Sequence, residues 1–239
     1  MKTKMIFYGD SVIRGKTWLQ GSLTPFDTEN NFVKYCRSYL DSLGMEIINK
    51  GKNGLTSDIA CKELDNEVLK LKPNYLVLEI GGNDCNFNWK EVSKNPYLDH
   101  PPALSTNDLA TNLNNIIDRL IENSITVILL TPPPLDENKY LQLLNHYFGN
   151  NIDLFIKTKG GIALWHKKYV ETNRAVAVER KRFFIDIYAE FEKTNLQEHL
   201  VALDGLHPTE KGYQLMAQKF VESLGKFFLK QVANTGLIS

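Results

Sequence analysis

The chain has 239 residues, 43% of them apolar, and its 28 Lys and Arg balance 28 Asp and Glu. That balance argues against a nucleic-acid partner, whose binders carry a basic excess, and the apolar share argues against a disordered chain. No stretch nears the roughly 18 consecutive apolar residues that a membrane-spanning helix needs.

At the N-terminus Lys2 and Lys4 precede only the short apolar run 5–8, too little for the hydrophobic region of a secretory signal, so cytoplasmic residence is expected. That run is cut off by Gly9-Asp10, which predicts a buried strand feeding a tight turn. Phe32, Val33, Cys36, Tyr39, Leu40 and Leu43 then recur at helical steps, with Gly44 as the stop. Residues 45–48 read as a second strand, and Ala60, Leu64, Val68 and Leu71 as the apolar face of a helix ended by Pro73. A third strand, 75–80, closes on Gly81-Gly82, and Leu109, Leu113, Ile116, Ile117, Leu120 and Ile121 line a third helix. A fourth strand, 126–130, stops at Pro132-Pro133-Pro134, and 183–187 is a fifth. The last helix follows Pro208 and carries Tyr213, Met216, Phe220, Leu224 and Phe227.

Strands that are apolar almost throughout, separated by amphipathic helices, indicate a parallel sheet covered on both faces, a doubly wound α/β sandwich. No repeat, low-complexity tract or linker divides the chain, so 1–239 reads as a single domain. Cys36, Cys61 and Cys85 are odd in number and form no Cys-x-x-Cys pair, which argues against disulfides and a cysteine zinc site and favours reduced thiols in core space.

In such sheets the working residues lie beyond the carboxyl ends of the strands. Gly9-Asp10-Ser11 follows the first strand, Gly54 lies in the loop after the second, and Gly81-Gly82-Asn83-Asp84 follows the third. Asp204-Gly205-Leu206-His207-Pro208 comes just before the last helix. A serine hydroxyl is a weak nucleophile until a base takes its proton, and histidine serves best when a carboxylate holds its other nitrogen. Ser11, His207 and Asp204 fit these roles. Backbone N–H groups of Ser11 and Gly54 and the Asn83 amide could then meet a developing oxyanion.

In order and spacing these segments resemble the four sequence blocks of the SGNH/GDSL hydrolase superfamily, across nearly the whole chain. The resemblance implies a flavodoxin-like sandwich with a five-stranded parallel sheet and hydrolysis of an ester or thioester through an acyl-serine intermediate. It implies Ser11 as nucleophile, His207 as general acid and base, Asp204 as its orienting carboxylate, and no metal or organic cofactor. Val12 stands where the eponymous motif has leucine, a change expected to touch packing. An acyltransferase with the same triad, or a silent binding protein of this fold, is the alternative; the complete set of triad and oxyanion residues speaks against the silent protein.

Ser11 alone could be a helix cap, Asp10 reads as a brace for the loop around Ser11, and Asp84 as a turn former. His100, His146, His166 and His199 lack ligand spacing and read as surface or satisfied core residues. Gly81-Gly82 and Gly160-Gly161 fit no phosphate-loop pattern. The substrate, a small-molecule ester of small-acyl or carbohydrate-linked type, is expected to be chosen by two aromatic-rich insertions near 86–106 and 134–165. Phe87, Trp89 and Tyr147 are the candidate substrate contacts, and 134–165 is a lid, a pocket wall or a dimer contact in a homo-oligomer.

Overall fold

A computed structural model describes residues 2–194 and 197–234. Five parallel strands form the central sheet: β1 (Lys4–Gly9), β2 (Glu46–Gly51), β3 (Tyr75–Glu79), β4 (Thr126–Leu130) and β5 (Phe183–Ile185). Their order is β2-β1-β3-β4-β5, so the chain winds outward from β1 to β2 and then reverses past β1 to β3. The crevice of such a sheet opens between the carboxyl ends of β1 and β3, where the winding direction switches.

β1 shows why these runs become central strands. Successive side chains point to opposite faces, and every residue from Met5 to Tyr8 is apolar and fully buried. Met5 and Phe7 enter the core shared with α2 (Phe32–Ser42), α9 (Ile187–Glu192) and α11 (Glu210–Asn234). Ile6 and Tyr8 enter the opposite core, beneath α3 (Ser57–Glu67), α5 (Thr106–Glu122) and α8 (Ile162–Glu179). In the first core Phe7, Phe32 and Phe220 meet with ring centroids 5.5–5.6 Å apart, one from the sheet, one from α2 and one from α11.

The segments 86–106 and 134–165 build a third apolar cluster at the strand ends. They supply α4 (Trp89–Lys94), α6 (Glu137–Phe148) and α7 (Ile152–Thr158), whose Trp89, Val92, Tyr140, Leu144, Phe155 and Ile156 pack together. Gly160 and Gly161, at φ +84° and +105°, turn the chain from α7 into α8.

Several element ends differ from the periodicity. β5 stops at Ile185 because Asp186 turns out of the sheet to accept the Ala189 N–H at 3.0 Å and cap α9. α3 ends at Glu67, and a 3-10 turn over Leu69–Leu71 follows before Pro73, closed by Lys72 at φ +48°. Leu43 and Ile121 lie at helix ends beyond the covered stripe and are 44% and 46% exposed. Among the described residues Cys36, Cys61 and Cys85 are free thiols, and no helix is long and apolar enough to cross a membrane.

Truncating one ring of the sheet-facing aromatic trio leaves a cavity that rigid neighbours cannot fill. Phe220→Ala is expected to cost about 3–5 kcal/mol in urea unfolding with little change in the denaturant slope; a loss below 1 kcal/mol would contradict this packing.

Candidate active site

Ser11 opens the one-turn helix α1 (Ser11–Arg14) directly after β1. The capping duty belongs to its neighbour: Asp10 Oδ1 accepts the Val12 N–H at 2.8 Å, and the Ser11 hydroxyl faces elsewhere. Ser11 Oγ lies 2.9 Å from His207 Nε2, and His207 Nδ1 lies 2.6 Å from Asp204 Oδ2. Asp204 Oδ1 also accepts the backbone N–H groups of Leu206 at 2.9 Å and His207 at 3.0 Å. Burial raises the Asp204 pKa, but hydrogen bonds and charge from His207, with the two backbone donors, outweigh it and leave the carboxyl below its ordinary value. An ionised Asp204 can only accept, so Nδ1 carries the proton and Nε2 presents its lone pair to the Ser11 hydroxyl.

The loop holding Asp204 and His207 is tied down from several sides. Asp136 N–H donates to Gly205 O at 2.8 Å, Ala202 N–H to His207 O at 2.8 Å, and Thr17 Oγ1 to Pro208 O at 2.9 Å. Gly205, at φ +73°, lies against the start of α6, where a Cβ would come within 2.6 Å of Asp136 O.

Gly54 and Asn83 share the cleft with Ser11, Gly54 at a turn with φ +70° and Asn83 after β3. The Asn83 amide donates to Asp10 Oδ2 at 2.9 Å and to Leu55 O at 3.2 Å. Both amide hydrogens are engaged, so donation to an oxyanion would draw on the longer Leu55 contact while the Asp10 contact holds the pivot. Asp84 does more than form a turn. It is fully buried, and its two oxygens accept the Ser57 N–H at 3.1 and 3.2 Å, pinning the start of α3 and thereby the loop of Gly54. Burial pushes its carboxyl up to about 6.

The cleft has a volume of about 260 Å³ and is walled by Trp89, Trp165, Tyr140, Leu135, Ile162 and Leu206. The segment 134–165 therefore supplies pocket wall. Trp89 is fixed by its indole N–H, which donates to Asn86 Oδ1 at 2.6 Å and lies 3.1 Å from the Tyr140 hydroxyl. Phe87 stands behind it, buried against Trp89, Phe155 and Trp165 and outside the cleft lining. Tyr147 is on the outer face of α6, 59% exposed, and is not brought to the site. Val12 is buried and touches the cleft edge.

Two cleft residues escaped the sequence reading. Glu79, the last residue of β3, is fully buried in the cleft floor; the only signal was an acid inside an apolar strand. His166 is neither a surface residue nor a satisfied core residue. It is buried in the cleft wall with no hydrogen-bond partner for Nδ1 among the described residues, its ring stacked on Tyr188 at 6.2 Å, and burial lowers its pKa to about 4. His100, by contrast, contacts Asn95 O at 2.9 Å, and His146 packs on Tyr147. Among the described residues no group of three or more His, Cys, Asp or Glu is placed to hold a metal ion.

The family model for GDSL-like lipases and acylhydrolases matches residues 7–215. An acetylxylan esterase of Geobacillus stearothermophilus is 24% identical, over 93% of this chain and 94% of its own. An uncharacterised lipoprotein of Bacillus subtilis strain 168 is also 24% identical, over 89% of this chain and 85% of its own. That relative's name lends no support to the expectation of cytoplasmic residence. The crystal structure of a lipase/acylhydrolase from Enterococcus faecalis superposes with a TM-score of 0.67 at 21% identity, covering 93% of this chain and 95% of that one.

Asp84 yields a pH test. Its folded pKa of about 6 lies above the ordinary 3.8, so the folded state binds the proton more tightly and stability falls as pH rises between these values. Asp84→Asn lacks that fall. Across that window wild type should lose on the order of 3 kcal/mol relative to the variant in urea unfolding; parallel pH curves would contradict the assignment.

Proposed function

Since the chain belongs to the GDSL-like lipase/acylhydrolase family and is an esterase of that kind, we propose that it cleaves small-acyl esters of hydroxylated, carbohydrate-type alcohols through an acyl-serine intermediate. The observation that carries this reading is the unbroken contact from Asp204 through His207 to Ser11, 2.6 Å and 2.9 Å. Ser11 Oγ attacks the ester carbonyl carbon while its proton passes to His207 Nε2, and the carbonyl electron pair moves onto oxygen. Asp204 stabilises the imidazolium without taking its proton. Donors from Ser11 N, Gly54 N and Asn83 Nδ2 meet the oxyanion. Collapse expels the alcohol, which takes the proton from Nε2; water then repeats the sequence and releases the acid.

The cleft supports that substrate class. Its volume, about 260 Å³, falls below the roughly 300–1,000 Å³ of sites that enclose drug-sized ligands, which favours a short acyl group. Trp89, Trp165 and Tyr140 offer apolar faces with polar edges, suited to sugar rings. The His166 ring, neutral above its pKa of about 4, adds hydrogen-bonding capacity that the protein leaves uncommitted at Nδ1. The acetylxylan esterase relative supports the same class.

A fluorophosphonate probe is expected to label Ser11, and Ser11→Ala to lower turnover of p-nitrophenyl acetate by about 10⁴-fold or more with the fold intact. Undiminished turnover in that variant would overturn the reading. His166→Leu should reduce the ratio of kcat/KM for acetylated xylo-oligosaccharide over p-nitrophenyl acetate by about fivefold to tenfold, the worth of roughly one hydrogen bond. An unchanged ratio would remove His166 from substrate recognition.

A further inference from the structure

Two buried carboxyl groups lie side by side at the cleft that Ser11 lines. Glu79, at the end of β3, is fully buried, lines the cleft floor, and has no hydrogen-bond partner on either oxygen among the described residues. Asp10, after β1, is buried beside it with both oxygens in use, Oδ1 on the Val12 N–H at 2.8 Å and Oδ2 on the Asn83 amide at 2.9 Å. The strand register forces the pair together, because Gly9 is directly opposite Glu79.

The surroundings do not neutralise two charges. Asp84 faces Glu79 from the loop after β3, Tyr213 faces both carboxyls from α11, and His207 faces Asp10 from the loop before α11. Lys16 lines the same cleft, but its ammonium is paired with Asp27 at 3.1 Å. Two adjacent carboxylates out of water repel, and burial of a carboxylate without a compensating partner is strongly disfavoured. The pair therefore holds one negative charge. It belongs on Asp10, which receives two N–H donors, and the proton belongs on Glu79, which receives none.

We propose that Glu79 is a positioning residue for the oxyanion hole: by keeping one proton beside Asp10, it leaves Asp10 a single carboxylate locked onto the Asn83 amide and onto the turn that carries Ser11. This rests on the esterase reading above. Burial raises Asp10 too, but the Val12 N–H, Glu79 and the charge of His207 offset part of that rise. Burial first, and then the charge of Asp10, pushes Glu79 well above the usual carboxylate range. Loss of the Glu79 proton to solvent would set two carboxylates side by side, drive Asp10 off its donors and free the Asn83 amide to turn. Oxyanion donors act mainly in the transition state, so kcat should suffer and KM for a small ester should not.

The experiment measures kcat and KM for p-nitrophenyl acetate from pH 6 to 10 in wild type, Glu79→Gln and Glu79→Leu. Wild type should lose kcat at the alkaline end. Glu79→Gln, a neutral carboxyl mimic that cannot ionise, should stay within about threefold of wild type at pH 7.5 and lack that alkaline loss. Glu79→Leu should lower kcat by about tenfold to a hundredfold at unchanged KM, a fraction of what removing an oxyanion donor costs. Wild-type kcat and pH profile in Glu79→Leu, or an equal loss in Glu79→Gln and Glu79→Leu, would overturn the proposal. A second readout needs no variant to fold: the carboxyl ¹³C shift of Glu79 in the wild-type protein at pH 7.5 should be that of a neutral acid, and a carboxylate shift would overturn the proposal. Ser11→Ala run alongside separates the two levels. Full activity there removes the esterase reading, whereas its loss there with wild-type behaviour of Glu79→Leu removes only the role of Glu79.

Discussion

The site depends on the pairing of β1 with β3, which brings Gly9 opposite Glu79. A side chain at Gly9 would overlap the Glu79 carbonyl oxygen, so the two strands can end this close only with glycine there. Each chain then leaves the sheet at the same height, one into Asp10-Ser11 and the other into Gly81-Gly82-Asn83. The Asp10 carboxylate spans the gap by accepting from Val12 on one side and Asn83 on the other. Ser11 and the Asn83 amide are thus positioned by sheet register and by one shared acceptor, not by the longer loops around them.

Rigidity elsewhere serves the same geometry. The His207 loop must meet Ser11 from 196 residues away in sequence, and it does so because the α11 core and the contacts from Thr17, Ala202 and Asp136 leave it little freedom. A contact of 2.9 Å tolerates little drift, since misplacement of about 1 Å can cost on the order of a hundredfold in rate. The many surface ion pairs, such as Lys62 with Asp58 or Lys94 with Glu91, add little beside this, because exposed pairs contribute about 0–1 kcal/mol.

How far the sequence could be read depended on whether a residue's role was local. The apolar runs 5–8, 75–80 and 126–130 announced central strands because burial on both faces removes the polar alternation that would blur them. Ser11, Asn83 and His207 stood out because each sits in a short block with glycine or proline beside it. Glu79 and His166 did not, since their significance comes from what lies opposite, an acid across a strand pair and a cleft across a helix. Phe87 and Tyr147 show the converse. Aromatic content marked the right segments, but the helical phase of α6 turned Tyr147 to solvent, and the packing of Phe155 and Trp165 drew Phe87 behind Trp89. Strand 183–187 was read too long because Asp186 looks like part of the run until its capping bond to Ala189 is seen.

Two acids in this site are almost equally buried yet shifted in opposite directions, and what separates them is the neighbouring charge together with the supply of donors. Asp204 receives the His207 ring and two backbone N–H groups and falls below its ordinary value. Glu79 is raised well above it, by burial first and then by the charge of Asp10 beside it. The signs for stability follow. Asp204 contributes stability that is present above its unfolded pKa and lost as pH falls through its depressed folded one, whereas Glu79 reduces stability as pH rises above the ordinary carboxylate value. Between the two limits Asp204 is charged and Glu79 is neutral, the combination that the proposed roles of the His207 imidazole in proton transfer and of the Asn83 amide at an oxyanion require. Burial alone would have neutralised both; the His207 ring and backbone donors at one carboxyl, and a second carboxylate beside the other, divide their roles within a single cleft.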